Sequence, residues 1–214
     1  MQAGYAKRIC FVYRPVNRRA AARWHALRLC GSAGTMKQPH IVAIGGTLRA
    51  SSGTARALEI ALAQAESQGA RTTLLTGAAI DFPNYEPESA LENPVIAAFL
   101  ATLRDADGIV IGSPGYHGTL SGLVKNALDH VELMRSDERV YFDGLPVGII
   151  ATAAGWQAAV ATLGTLRTVA HALRGWPTPM GVAINTLASP NAIHEAEPQI
   201  ATMVGQIMGF VGRG

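Results

Sequence analysis

Three stretches of the chain carry residue types suited to holding a ligand. GGTLRASSGT (45–54) offers the hydroxyls of Thr47, Ser51, Ser52 and Thr54, the guanidinium of Arg49 and the amides of a helix start. Unpaired N–H groups and the helix dipole attract anions, and hydroxyls add donors without a full opposing charge. The chemistry this allows is a phosphate cradle. It is neither a Walker loop, which needs GK[ST], nor the G-x-G-x-x-G dinucleotide fingerprint. A Ser/Thr-capped helix start without a ligand accounts for the same residues equally well.

The second stretch, SPGYHGTLSGLVKNALDH (113–130), opens on small and rigid residues. Proline fixes the backbone direction and glycine lets a ligand approach the main chain. Tyr116 and His117 would add walls for a flat ligand; the plainer alternatives are a loop aromatic packed on the core and an exposed loop histidine. Further on, Lys125 and Asp129 are spaced for an i,i+4 ion pair. Asn126 is suited to tying a loop together through side-chain-to-backbone bonds. The third stretch, TAAGWQ (152–157), is again small-residued, followed by Trp156, an interface or core tryptophan on the plainer reading. No His–Asp or Cys–His constellation appears in the three stretches.

The elements that position these stretches alternate. IVAIGG (41–46) is a short apolar run closed by glycines, as a buried strand should be. Leu58, Ala61, Leu62 and Ala65 then repeat on one helical face, ending near Gly69, a plausible C-cap. Residues 71–75 predict a second strand. After a Pro- and Asn-containing loop, DFPNYEP, Asn93 and Pro94 open a helix as N-cap and first-turn proline. Its inner face is Ile96, Phe99, Leu100 and Leu103. A third strand, 108–112, leads into the second stretch, whose helix runs to about Leu133. A fourth strand (145–152), a helix ending at Gly175, a fifth strand (179–184) and a closing helix (195–211) complete the pattern. Strands alternating with helices predict βαβ units around a parallel sheet covered on both faces. In such a sheet ligands bind beyond the carboxyl ends of the strands, where the strand order switches. The loops after strands one, three and four are the three stretches above.

Composition narrows the function classes. The 214 residues suit one domain, and 49% hydrophobic with 15% charged fits a buried α/β sheet. The net charge of +3 is uneven: seven of the 18 Lys and Arg residues precede residue 37, and no acid precedes Glu59. The remaining eleven cations face 15 acids, a net of −4. The pI is therefore not a nucleic-acid footprint. Residues 1–36 read as a basic N-terminal extension, disordered or upstream of a true start at Met36, with a targeting presequence as the alternative. Residues 37–214 read as the domain. Cys10 and Cys30 both lie in the extension, so disulfides, zinc-thiolate sites and thiol chemistry are excluded from the body. No apolar run is long enough to predict a membrane span.

Taken in order, GGTLRASSGT, SPGYHGTLSGLVKNALDH and ATAAGW resemble the NAD(P)H-dependent FMN reductase family over about residues 39–185. Both the G-[ST]-x-R-x-x-S-x-[ST]-like loop and the P-x-Y-[NH]-x-x-x-x-G-x-x-K-N-x-[IL]-D block are met. The resemblance implies a flavodoxin-like, three-layer, doubly wound α/β fold with a five-stranded parallel sheet in the order 2-1-3-4-5. It implies that Thr47, Arg49, Ser52 and Thr54 hold the FMN phosphate. Pro114, Gly115, Tyr116 and His117 would line the isoalloxazine, and Ala153, Ala154 and Gly155 its pyrimidine end. The implied activity is ping-pong hydride transfer from NADPH or NADH to FMN N5, then to free flavin or a small acceptor. No catalytic acid or base and no metal is implied. Members often carry glutamate where Gly115 stands and a Ser- and Gly-rich third loop, departures that bear on substrate choice. A cytoplasmic homodimer or homotetramer, a partner monooxygenase, and no nucleic-acid or membrane partner go with this reading. Its rivals are a quinone, azo or metal-oxyanion reductase with tightly bound FMN, and a flavodoxin-like one-electron carrier. A receiver domain is excluded, because Gly112 and Ser113 stand where its strand-three aspartate would be.

Overall fold

A computed structural model describes residues 38–212; the extension at 1–36 lies outside them. Strand β1 (His40–Gly45) is buried along its whole length. Its side chains alternate between two separate cores, Val42 and Ile44 in one, Ile41 and Ala43 in the other. That alternation requires cover on both faces, and the chain supplies it with helices.

Five positions make the parallel sheet. β2 (Arg71–Leu75) and β3 (Gly108–Tyr116) flank β1, and β5 (Pro146–Ala153) lies beyond β3. The fifth position is shared by β6 (Trp176–Pro177) and β7 (Val182–Asn185), both parallel to β5. The expected order 2-1-3-4-5 holds for these positions. Two details differ from the sequence reading. The fifth strand is broken, because residues 178–181 leave the ladder. There the Met180 amide donates to Gln206 Oε1 and Arg167 Nη2 to the Pro179 carbonyl. The third strand is longer than expected, continuing through Ser113, Pro114 and Gly115 to Tyr116.

The helices are α1 (Gly53–Ser67), α2 (Pro94–Arg104), α3 (Gly122–Asp129), α4 (Trp156–Ala172), α5 (Ala192–Glu195) and α6 (Glu197–Val211). One core joins Ile96, Phe99 and Leu100 of α2 with Val124 and Leu128 of α3 and Leu166 of α4. The other joins Leu58 and Leu62 of α1 with Ile200, Met203 and Val204 of α6. Each fully buried aliphatic side chain contributes roughly 1.5–3 kcal/mol of burial. The expected helix ends are met. Asn93 Oδ1 accepts from the Val95 amide with Pro94 behind it, and Gly69 takes φ 91° just past the end of α1. α3 stops at Asp129, earlier than expected, and passes into a 3-10 turn, His130–Met134.

At the amino ends of the strands, His40 is buried and its Nε2 meets the Thr73 hydroxyl at 2.8 Å. Arg71 pairs with Asp105 nearby. The opposite, carboxyl end carries the ligand-type residues.

Candidate functional site

β1 ends in two glycines because nothing larger fits. A Cβ on Gly45 (φ 140°) would stand 1.7 Å from the Gly112 carbonyl oxygen of β3. The turn that follows is held by the Arg49 amide donating to Thr47 Oγ1 and the Ser52 amide to the Arg49 carbonyl. Ser52 is the N-cap of α1: its hydroxyl oxygen accepts from the Ala55 amide at 3.1 Å. The amides of Gly53 and Thr54, in the first turn, are left without intrahelical partners. The Arg49 guanidinium has no ion-pair partner among the described residues.

The second stretch does not leave the sheet after residue 112, where the third strand was expected to end. Ser113 to Tyr116 stay in β3, and Gly115 and Tyr116 pair antiparallel with Leu120 and Thr119 of a short strand, β4 (Thr119–Leu120). Only His117 and Gly118 turn, at φ 52° and 87°. Two positive φ values at the centre of a two-residue loop are the hairpin turn that matches strand twist. Ser113 locks its base, donating to the Pro114 carbonyl and accepting from the Ser121 amide, both at 2.9 Å. Asn126 does tie a loop, but a distant one. Its Nδ2 donates to the Phe82 and Pro83 carbonyls and its Oδ1 accepts from the Tyr85 amide, all at 3.0 Å. Lys125 and Asp129 form the expected exposed ion pair, 2.6 Å.

The three stretches converge on one open cleft of about 330 Å³ at the carboxyl ends of β1, β3 and β5. Thr47, Arg49, Ser52 and Thr54 line one side of it, and Pro114, Gly115 and Tyr116 another. Ala153 and Ala154 close it from β5. His117 and Gly155, each one residue further along, are not among its walls. Thr54 is only 2% exposed, and its hydroxyl meets that of Thr152 at 2.5 Å, fixing α1 to the end of β5. Thr152 and Thr186 also line the cleft, though neither was singled out from sequence. Thr152 stands at the head of the third stretch. Thr186 follows the fifth strand, whose loop the strand-order rule did not name; its amide and hydroxyl both donate to the Ala153 carbonyl. Among the described residues no Asp, Glu, His or Cys lines the cleft. The walls can bind and orient a ligand, with Arg49 and two amides facing an anionic group and Pro114, Gly115 and Ala153 a flat one. Among the described residues no group of His, Cys, Asp and Glu could hold a metal ion, and no helix is long and apolar enough to cross a membrane.

Residues 39–188 match the family described as NADPH-dependent FMN reductase. The chain belongs to that family. An FMN-dependent NADPH-azoreductase of Staphylococcus haemolyticus is 33% identical over 104 residues, 49% of this chain and 52% of that protein. Its Staphylococcus saprophyticus counterpart is 40% identical over 80 residues, covering 37% and 39% of the two chains. The matches thus span about half, or less, of the length of these curated relatives. The flavoenzyme NAD(P)H:acceptor oxidoreductase FerB of Paracoccus denitrificans superposes with a TM-score of 0.68 at 17% identity, over 82% of this chain and 98% of that one. Structural likeness at that identity speaks to the fold, which is the doubly wound sheet expected from the sequence.

Proposed function

We propose that this FMN reductase family member holds FMN in the cleft and uses it to oxidise NADPH or NADH at the expense of a small acceptor. The observation that carries this is the convergence of an anion-binding helix start, a small-residue strand end and a small-residue β5 terminus on one cleft. The chemistry of these walls fits the cofactor. Arg49, Thr47, the Ser52 hydroxyl and the Gly53 and Thr54 amides would hold the phosphate. Pro114, Gly115 and Tyr116 would lie along the ring, with His117 beyond them at the hairpin tip. Ala153 and Ala154, with Gly155 next in line, would flank its pyrimidine end. When bound, FMN supplies the hydride acceptor and donor that no side chain here provides. The residues themselves bind, orient and exclude water.

The acceptor we favour is a flat azo or quinone compound reduced on a retained FMN, since the curated relatives are named azoreductases. Free flavin is the alternative acceptor. Tyr116, 51% exposed, leaves apolar surface at the cleft, which supports a homodimer or homotetramer. Purified protein should be yellow or should bind added FMN stoichiometrically. It should then oxidise NADPH or NADH with an azo dye or quinone. Colourless protein that ignores added FMN would overturn the reading.

A further inference from the structure

A second and larger cavity, about 480 Å³, lies along the free edge of β7. β7 has β5 on one side and no strand partner on the other among the described residues. Gly181 to Asn185 form the floor of this groove, and Trp156 and Glu195 stand on its walls. At about 3.3 Å per strand residue the floor is about 13 Å long. The Trp156 indole is 57% exposed. Asn185 spends its carbonyl on the Leu187 amide, which leaves its NH2 group to donate, and Gln199 adds a second amide at the rim. Glu195 Oε1 accepts from the Ser189 hydroxyl, leaving Oε2 without a partner among the described residues. Among the described residues it is the only charged one lining the groove. Arg167 sits by Gly181 at the end away from the cleft, with Nη2 on the Pro179 carbonyl.

The groove and the cleft share a wall. Ala153, which lines the cleft, is paired with Asn185, which lines the groove, and the segment 153–156 connects one to the other. A ligand reaching from the groove to a flavin held in the cleft must be extended, with one flat group for the flavin face and another for the groove. We infer that the groove takes the adenosine half of the nicotinamide donor, with adenine on Trp156 and the ribose hydroxyls toward Glu195, and that it selects NADH over NADPH. This rests on the flavin reading above. An aromatic face accepts any base by stacking. A carboxylate accepts from a ribose 2′-hydroxyl and repels a 2′-phosphate, the same physics by which an acid on the ribose separates NAD from NADP.

The test titrates the full chain by calorimetry with ADP-ribose and with 2′-phospho-ADP-ribose, neither of which carries nicotinamide. ADP-ribose should bind about tenfold or more tightly than its 2′-phosphate. Glu195→Gln, which keeps an acceptor for Ser189, should bring the two to near parity. Trp156→Ala should weaken ADP-ribose roughly five- to a hundredfold without changing the discrimination. Equal or tighter binding of the 2′-phosphate by the unaltered protein, no binding of either probe at millimolar concentration, or unaltered affinity in Trp156→Ala overturns the proposal. FMN titrated into the same samples reports separately on the cleft. Binding of FMN without ADP-ribose removes only the groove assignment, and binding of ADP-ribose without FMN removes only the flavin reading.

Discussion

The Thr162 hydroxyl of α4 occupies the space a side chain on Gly115 would need. A Cβ at Gly115 would stand 2.6 Å from Thr162 Oγ1 and 3.1 Å from the Ala158 carbonyl. Thr162 is fully buried and its hydroxyl has no partner, whereas Thr165 and Thr168 on the same helix donate to the carbonyls four residues back. The strand wall of the cleft is thus bare because the helix behind it comes close. This gives a physical account of the departure at Gly115, where a larger residue would collide with α4.

Gly115→Ala should therefore cost about 1–3 kcal/mol by overpacking. Thr162→Ala alone should be near neutral, since it deletes an unpaired buried hydroxyl and raises helix propensity. Together they should be non-additive, the second change recovering much of the first. Urea unfolding of the four proteins measures the coupling, and strict additivity would contradict the contact.

Asn126→Ala should destabilise the fold by roughly 1.5–4 kcal/mol, three hydrogen bonds at the usual net value each. Asn126→Asp should recover little, because it sets a carboxylate against the Phe82 and Pro83 carbonyls. Limited proteolysis near residues 82–85 should quicken in both, with FMN affinity changing less than stability.

Arg49→Ala removes the one guanidinium in the cleft and should weaken FMN by about 1.5–3 kcal/mol, the loss of a charge-assisted bond. Fluorescence titration reads this as a roughly ten- to hundredfold rise in Kd. Melting without FMN should be unchanged, because the Arg49 guanidinium has no partner among the described residues and its backbone bonds survive the substitution.

Tyr141 donates to Glu132 Oε2 at 2.8 Å, and this bond to Glu132, with burial, holds its phenol above the ordinary 10.0. A raised native pKa favours the protonated form. The stabilisation is complete below the ordinary phenol range and is lost as pH rises through the raised native value. The stability difference between the natural protein and Tyr141→Phe should be constant near neutrality and shrink in strongly alkaline buffer. Denaturation at pH about 8 and about 11 checks it.

The parts of the fold legible in sequence are those signalled locally. The glycine pair after IVAI, the Asn93–Pro94 helix start and Gly69 each act within a few residues, and each stands where expected. What escaped depends on partners far along the chain. Ser113 to Tyr116 carry turn-type residues, yet pairing with β5 and β4 keeps them extended. The fifth strand was expected only from 179, but an edge position tolerates proline, and Trp176 and Pro177 already pair with Pro146 and Val147. The Thr54–Thr152 contact joins residues 98 apart, which no local period announces. The cleft was nonetheless traceable, because all its walls but Thr186 are three short segments at strand ends, where the fold's own geometry directs ligands.

The broken fifth strand has a further consequence, for the protein in concentrated solution. An apolar parallel sheet must end somewhere, and a long straight border offers unpaired amides and carbonyls to any passing chain. Here the border is divided into pieces of two and four residues. The first contains a proline, and the segment between them is turned inward to Gln206 and Arg167. On this border, unlike the five-residue β2 at the opposite one, an incoming strand finds no continuous register on which fibril growth could start.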